Sequence, residues 1–214
     1  MRVPLIVSLP GIRPERHVFD SPVELVDLVP TIVDLLEIDT GERIRAGSII
    51  IATGSRPVIP RAWEAFRDRI ITTDEFFDLE DLPESIAVVG LGVIGLELGQ
   101  SLHRLGCSVA GVDMQSAIGG LTDPEAVKSA VEIIGKEFPL WLGAGAEISE
   151  GSDGRLRVDA GDNSIEVDRV FASIGRIPNV DKLGLDAIDA PIGRHGVPVY
   201  DAQTMQVGDL PVFL

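Results

Sequence analysis

The chain has 214 residues, 45% hydrophobic and 24% charged, the proportions of a globular protein of one or two domains. Its 34 acidic and 18 basic residues give a formal net charge of −16, which argues against a nucleic-acid or anionic-membrane partner, since both need clustered Lys and Arg. The one cysteine, Cys107, excludes an internal disulfide and a cysteine-rich zinc site, the longest apolar run (Ile86–Leu96) is too short to span a bilayer, and no secretory leader is read, so a cytoplasmic location is expected.

In chain order, residues 1–37 predict a strand at Val3–Leu9, a break at Pro10-Gly11 and a polar loop to Asp20. A helix is expected over Ser21–Leu36, with Ser21 as cap, Pro22 in the first turn and a kink at Pro30. The parts VPLIV, PGI and VELVDLVPTIVDLL of this stretch resemble a short piece of the sulfatase family. That family's C-x-P-S-R segment is absent and its metal-binding aspartates have no counterpart, so the resemblance speaks to ancestry and not to activity. His17 stands alone in a polar loop and is not expected to bind metal.

From Ile38 the character changes. A strand at Ser48–Ala52 runs into Thr53-Gly54-Ser55 and a proline-punctuated exit, and Asp78–Glu84 reads as a linker. Ile86–Val89 then reads as a buried parallel strand, followed by Gly90, Gly92 and Gly95 in a G-x-G-x-x-G turn. An apolar stripe, Val93, Ile94, Leu96, Leu98, Leu102 and Leu105, predicts a helix packed on a sheet and stopped by Gly106. Cys107–Val112 is a second strand ending at Asp113, with Cys107 packed as a small core residue at the helix-to-strand turn.

Each part of this unit has a physical role in holding a dinucleotide. Gly90 allows the tight turn, Gly92 lets a pyrophosphate approach the backbone, and Gly95 lets the helix pack close to the strand. The helix N-terminus presents free N–H groups and its positive dipole end to phosphates. Asp113 stands where a carboxylate accepts hydrogen bonds from the adenine ribose.

Further on, Asp123–Glu137 reads as a second helix, with Thr122 as candidate cap and Pro124 at its first position. Phe138–Leu142 is a third strand. Ala146–Asp168 alternates around GSDG and AGDN turns and predicts antiparallel hairpins crossing the parallel sheet. Val170–Ile174 is a short strand before Gly175.

Residues 38–214 resemble the flavin-dependent pyridine-nucleotide disulfide oxidoreductases, the dihydrolipoamide dehydrogenase branch above all. The resemblance rests on IIIATGSRPVIP at 49–60, VVGLGVIGLELG at 88–99, ASIGRIPN at 172–179 and TMQVGDLPVFL at 204–214. It implies an α/β fold: a Rossmann-like NAD-binding domain, a parallel sheet with an antiparallel crossover meander, set beside remnant FAD-domain strands. The implied boundaries are 1–37 for the sulfatase-like strand-helix piece, 38–84 for the end of the FAD domain and the linker, 85–184 for the NAD domain, and 185–214 for the truncated return into the FAD domain.

The resemblance also implies contacts. Gly90, Leu91, Gly92, Val93, Ile94 and Gly95 fall at the phosphates, Asp113 at the adenine ribose and Ala146 beside the adenine. Gly175 and Arg176 fall near the nicotinamide ribose, and Glu97 faces the nicotinamide amide. Val93 holds the place where relatives carry a bulkier residue over the flavin. Thr53, Gly54 and Ser55 belong to the strand that closes the FAD domain. The bland readings are that Glu97 is a solvated helix residue and that Arg-x-Pro-Asn at Arg176 shapes a turn.

Three parts of the family's catalytic machine have no counterpart here: the FAD domain's own glycine motif, the redox cysteine pair, and the interface domain with its His–Glu base. His103 and His195 lack the acid expected five residues later. A dithiol relay needs two thiols, and Cys107 is alone. No residue is therefore assigned a catalytic or metal-binding role, and NAD is the expected cofactor, with FAD belonging to the parent family. The chain reads as composite. The expected function is an NAD(H)-binding portion without turnover of its own. The rivals are a flavoenzyme completed by a partner chain and a sulfatase-related fragment. The sequence sets no oligomeric state.

Overall fold

The computed structural model describes residues 46–193 and 196–214. The expectations for Val3–Leu9, Ser21–Leu36, His17 and His195 lie outside the described residues. The architecture below is that of the unit Ile50–Leu214 together with residues 46–49.

Strands β1 (Ile49–Ile50), β2 (Ser55–Pro57) and β3 (Ile70–Ile71) precede the nucleotide-type unit. That unit comprises β4 (Ser85–Val89), helix α1 (Val93–Arg104), β5 (Ser108–Asp113), α2 (Pro124–Ile134) and β6 (Leu140–Leu142). The strands β7 (Glu147–Glu150), β8 (Leu156–Ala160) and β9 (Asn163–Val167) form an antiparallel three-stranded meander. Then come β10 (Arg169–Ala172), β11 (Arg176–Pro178) and β12 (Val212–Phe213). The main sheet is parallel throughout, in the order β3-β10-β4-β5-β6.

The sheet is buried on both faces, as a parallel sheet must be. Ile86, Val88, Val109 and Phe171 pack toward Leu102, Cys107 and Phe138, with α2 contributing Ala130, Val131 and Ile134. Ala87, Val89, Val112, Val170 and Ala172 pack on the meander residues Leu156, Val158, Ala160 and Val167. This is period-two alternation, with both sets of side chains covered. Each fully buried Val, Ile, Leu or Phe contributes about 1.5–3 kcal/mol. The meander therefore supplies the second cover that helices supply in an ordinary doubly wound sheet.

The structure bears out half of the α1 stripe. Leu102 is buried and Leu96 and Leu98 pack half-buried against the same core, while Val93, Ile94 and Leu105 are exposed and the fully buried positions include Gly95 and Gly99. A Cβ on Gly99 would touch Phe138 Cζ and Val88 Cγ2 at 3.5 Å, so the helix backbone lies nearly on the strand. The C-terminus behaves as expected. Gly106 has φ of +101°, its N–H donates to the His103 carbonyl at 3.0 Å, and Cys107 N–H donates to the Leu102 carbonyl at 3.0 Å. That is a Schellman closure with its hydrophobic contact between Leu102 and Cys107. Burial pushes the Cys107 thiol up from its ordinary pKa, so it stays a neutral core residue.

Other boundaries shift. The cap of α2 is Asp123, whose Oδ1 accepts the Ala126 N–H at 2.9 Å, and not Thr122. The helix ends at Ile134, short of Glu137, whose carboxylate instead accepts from Gln100 (2.7 Å) and Arg104 (2.9 and 3.1 Å) of α1. The strands expected at Ser48–Ala52 and Phe138–Leu142 narrow to Ile49–Ile50 and Leu140–Leu142. Val170–Ile174 is β10, which starts at Arg169 and ends at Ala172. The edge strand β3 and the preceding 3-10 turns at Arg61–Arg69, with Trp63 buried, are absent from the sequence reading. The linker Asp78–Glu84 follows a 3-10 turn at Phe76–Asp78.

At the base of the sheet, Ser85 and Asp168 lock β4 to the start of β10. Ser85 N–H and Oγ–H both donate to Asp168 Oδ2 at 2.8 Å, and Asp168 N–H donates to Ser85 Oγ at 3.0 Å. A third, smaller core of Val180, Leu185, Ala190, Val207 and Val212 holds the C-terminal segment, where Ile51 N–H donates to the Phe213 carbonyl at 2.8 Å.

Candidate dinucleotide site

The carboxyl ends of β4, β5, β6 and β10 lie along one edge of the parallel sheet, the edge at which open α/β sheets bind ligands. The glycine turn leaves β4 there. Gly90 has φ of +93°, and a Cβ on it would fall 2.3 Å from the Ser173 carbonyl oxygen. A Cβ on Gly95 would fall 1.9 Å from the Gly90 carbonyl oxygen. Both glycines are thus required by the fold itself. Gly92 differs: no atom lies within 4 Å of the Cβ it lacks, and it caps α1 with no side-chain hydrogen bond. Open space lies where a Gly92 side chain would stand, and the first N–H groups of a helix beside such a position suit a phosphate.

Leu91 is buried between these glycines, while Val93 and Ile94 face outward at 57% and 46% exposure. Glu97 is exposed one turn into α1. Asp113, at the end of β5, is drawn against the turn: its Oδ2 accepts the Leu91 N–H at 2.6 Å and its Oδ1 accepts the Gln115 N–H at 2.8 Å. A carboxylate offers about four acceptor positions, so two remain for other donors. The chain beyond β6 returns to the same place, with Ala144 N–H donating to the Asp113 carbonyl at 3.3 Å and half-buried Ala146 packed on the core. Exposed Met114 has its Cγ and Sδ 3.7 Å from where a Gly145 Cβ would be. Gly175 follows β10 with φ of +111°.

The remaining expected residues form a separate junction. β11 pairs antiparallel with β2, matching Arg176 with Pro57 and Pro178 with Ser55. Thr53 Oγ1–H donates to the Asn179 carbonyl at 2.7 Å, Asn179 Nδ2 donates back to the Thr53 carbonyl at 3.1 Å, and Asn179 N–H donates to the Gly54 carbonyl at 2.9 Å. Arg176 donates to Asp74 (2.7 Å), Thr73 Oγ1 (2.8 Å), Ser55 Oγ (2.8 Å) and the Ser55 carbonyl (2.6 Å). Arg-x-Pro-Asn does not shape a turn here: Arg176–Pro178 is a strand, and Arg176 is engaged in these intramolecular contacts. Asp74 carries no sequence signal that would have paired it with Arg176. Among the described residues no cluster of three metal-ligating side chains occurs, and no helix is long and apolar enough to cross a membrane.

Comparison with known proteins agrees with this geometry. The pyridine nucleotide-disulphide oxidoreductase family pattern matches residues 16–213. Dihydrolipoyl dehydrogenase of Cupriavidus necator is 32% identical over 163 residues, a match covering 73% of this chain and 34% of that enzyme. Glutathione reductase of Burkholderia cepacia is 35% identical over 160 residues, covering 73% and 35%. The crystal structure of LpdA from Mycobacterium tuberculosis superposes with a TM-score of 0.68 at 26% identity, covering 78% of this chain and 37% of that one. The chain spans about a third of the length of these curated relatives. The family match begins inside the stretch 1–37 that resembles sulfatases, and the comparisons lend that resemblance no support. The chain belongs to the pyridine nucleotide-disulphide oxidoreductase family and corresponds to a nucleotide-binding portion of such an enzyme.

Proposed function

We propose that residues 85–184 form an NAD(H)-binding domain of the dihydrolipoamide dehydrogenase type, with 38–84 and 185–214 as parts of a flavin domain. The observation that carries this reading is the contrast among the three glycines. Gly90 and Gly95 are forced by backbone contacts, whereas Gly92, the N-cap of α1, has open space where a Cβ would stand and serves no packing need. Asp113 is within reach of the same turn. Bound there, NAD would supply hydride acceptance, while Gly92 and the first α1 amides would hold its phosphates and Asp113 its adenine ribose. Glu97, Gly175 and Ala146 remain the proposed contacts along the rest of the molecule. Arg176 would reach the nicotinamide side only by releasing part of its grip on Asp74 and Ser55.

The isolated chain would not turn over dihydrolipoamide, because its single thiol is a buried core residue and cannot relay electrons as a dithiol. The exposed apolar pair Val93 and Ile94 beside the turn favours a second reading, in which a flavin-bearing domain covers them and completes an enzyme. Titration with NADH and NADPH tests the first reading. A 2′-phosphate would meet Asp113 as a like charge, with Met114 and Gln115 offering no cation, so NADH should bind about 10–100-fold tighter. Equal affinity, or no binding of either, would overturn it. A yellow flavin spectrum in the purified chain, with steady NAD reduction by dihydrolipoamide, would favour the second.

A further inference from the structure

The geometry points to Asp113 as a positioning residue for the phosphate-binding turn, in addition to its proposed contact with the ribose. This rests on the nucleotide reading above. Leu91 is 1% exposed, so its N–H has no water to turn to, and the Asp113 carboxylate is its partner at 2.6 Å. Leu91 sits between Gly90 and Gly92. Its carbonyl accepts the Gly119 N–H at 2.7 Å, and the Gly90 N–H donates to the Val112 carbonyl at 2.9 Å. The turn is therefore held on three sides, twice by backbone and once by a side chain. The Gln115 N–H on Oδ1 fixes the carboxylate in the orientation that serves Leu91. A glycine-rich segment has much conformational freedom to lose, so a partner that fixes it before the ligand arrives raises affinity for the phosphates.

The two roles separate by substitution. Asparagine keeps a carbonyl oxygen for the Leu91 N–H and removes the charge, whereas alanine removes both. The experiment measures binding of NADH and of its analogue lacking the 2′- and 3′-hydroxyls of the adenine ribose, for the native chain, Asp113→Asn and Asp113→Ala. A residue that touches only the ribose would leave the analogue's affinity unaffected by either change. A residue that holds the turn makes Asp113→Ala bind the analogue about 10-fold more weakly than Asp113→Asn does. A second readout needs no ligand. The Leu91 amide should exchange with solvent about 10-fold faster in Asp113→Ala than in Asp113→Asn, while the Gly90 amide keeps its protection. Unchanged Leu91 exchange, or analogue affinity equal in the two variants, overturns the positioning role. A native chain that binds neither nucleotide while Leu91 exchange still responds defeats the nucleotide reading alone.

Discussion

The missing Cβ of Gly95 points at the carbonyl oxygen of Gly90 from 1.9 Å, a distance no real side chain tolerates. The missing Cβ of Gly92, three residues earlier, points at nothing. The two glycines should therefore fail differently. Gly95→Ala pushes backbone against backbone and should cost about 3 kcal/mol, lowering the melting temperature by roughly 6–12 °C. Gly92→Ala, whose φ of −65° suits alanine, should leave the melting temperature within about 2 °C. The same change should weaken NADH binding by about 10-fold or more, by putting a methyl where the proposed site would hold the pyrophosphate. Thermal melts and NADH titration of both variants check this. Equal loss of stability in the two would remove the distinction on which the site rests.

Gly99 is also buried on α1, but its added Cβ would meet Phe138 and Val88 at 3.5 Å, an ordinary contact. Replacing a mid-helix glycine with alanine gains about 0.5–1 kcal/mol of helix propensity. Gly99→Ala should raise the melting temperature by roughly 1–4 °C. A fall of several degrees would show that α1 needs to sit closer to β4 than 3.5 Å contacts imply.

Asp168 links stability to pH. Its partial burial alone would raise its pKa, but the Ser85 Oγ–H and N–H bonds, with Arg155 and Arg169 nearby, hold it below the usual carboxylate range. A depressed folded-state pKa means the stabilisation is present above the unfolded value, about 3.9, and is lost as pH falls through the folded one. The carboxylate is 33% exposed, so the contribution is discounted to about 1–2 kcal/mol. Asp168→Ala should lose that much at pH 7, and its difference from the native chain should shrink below about pH 4. Denaturant melts across that range decide it, and a difference that stays constant with pH would remove the ionised group as the cause.

Residues 1–37 are too few to fold alone. Deleting them should leave NADH affinity within a few-fold of the full chain (about 3-fold at most, under 0.7 kcal/mol). Neither form should hydrolyse sulfate esters. A large loss of affinity on deletion would make the segment a support of the nucleotide site.

Much of the site was legible because its logic is local. Glycines at fixed offsets, an apolar strand before them and an acid at the end of the next strand all declare themselves within 28 residues, Ile86–Asp113. The meander was legible from alternation and its turns. The buried face of α1 was legible only in part: Leu96, Leu98 and Leu102 pack on the core as their spacing predicts, but Gly95 and Gly99, also buried there, carry no hydrophobic signal. Val93, Ile94 and Leu105, which do carry one, face outward. β3 was missed because two residues show no period, and its identity depends on a partner, β10, remote in sequence. The grip of Asp113 on Leu91 was invisible for a related reason: a backbone N–H has no residue type to read.

The position of β10 governs how this chain can be made. It lies between β3 and β4, yet it is synthesised after every other strand of the main sheet and after the whole meander. Until Arg169–Ala172 arrives, β3 has no neighbour, and β4, with Ile86, Ala87 and Val88 at 0% exposure once folded, presents an unpaired apolar edge. Such long-range closure is slow, and the waiting edge is a template for other chains. A ribosome-bound or truncated product ending before residue 172 should therefore collect as aggregate, and refolding should be limited by the docking of one four-residue strand.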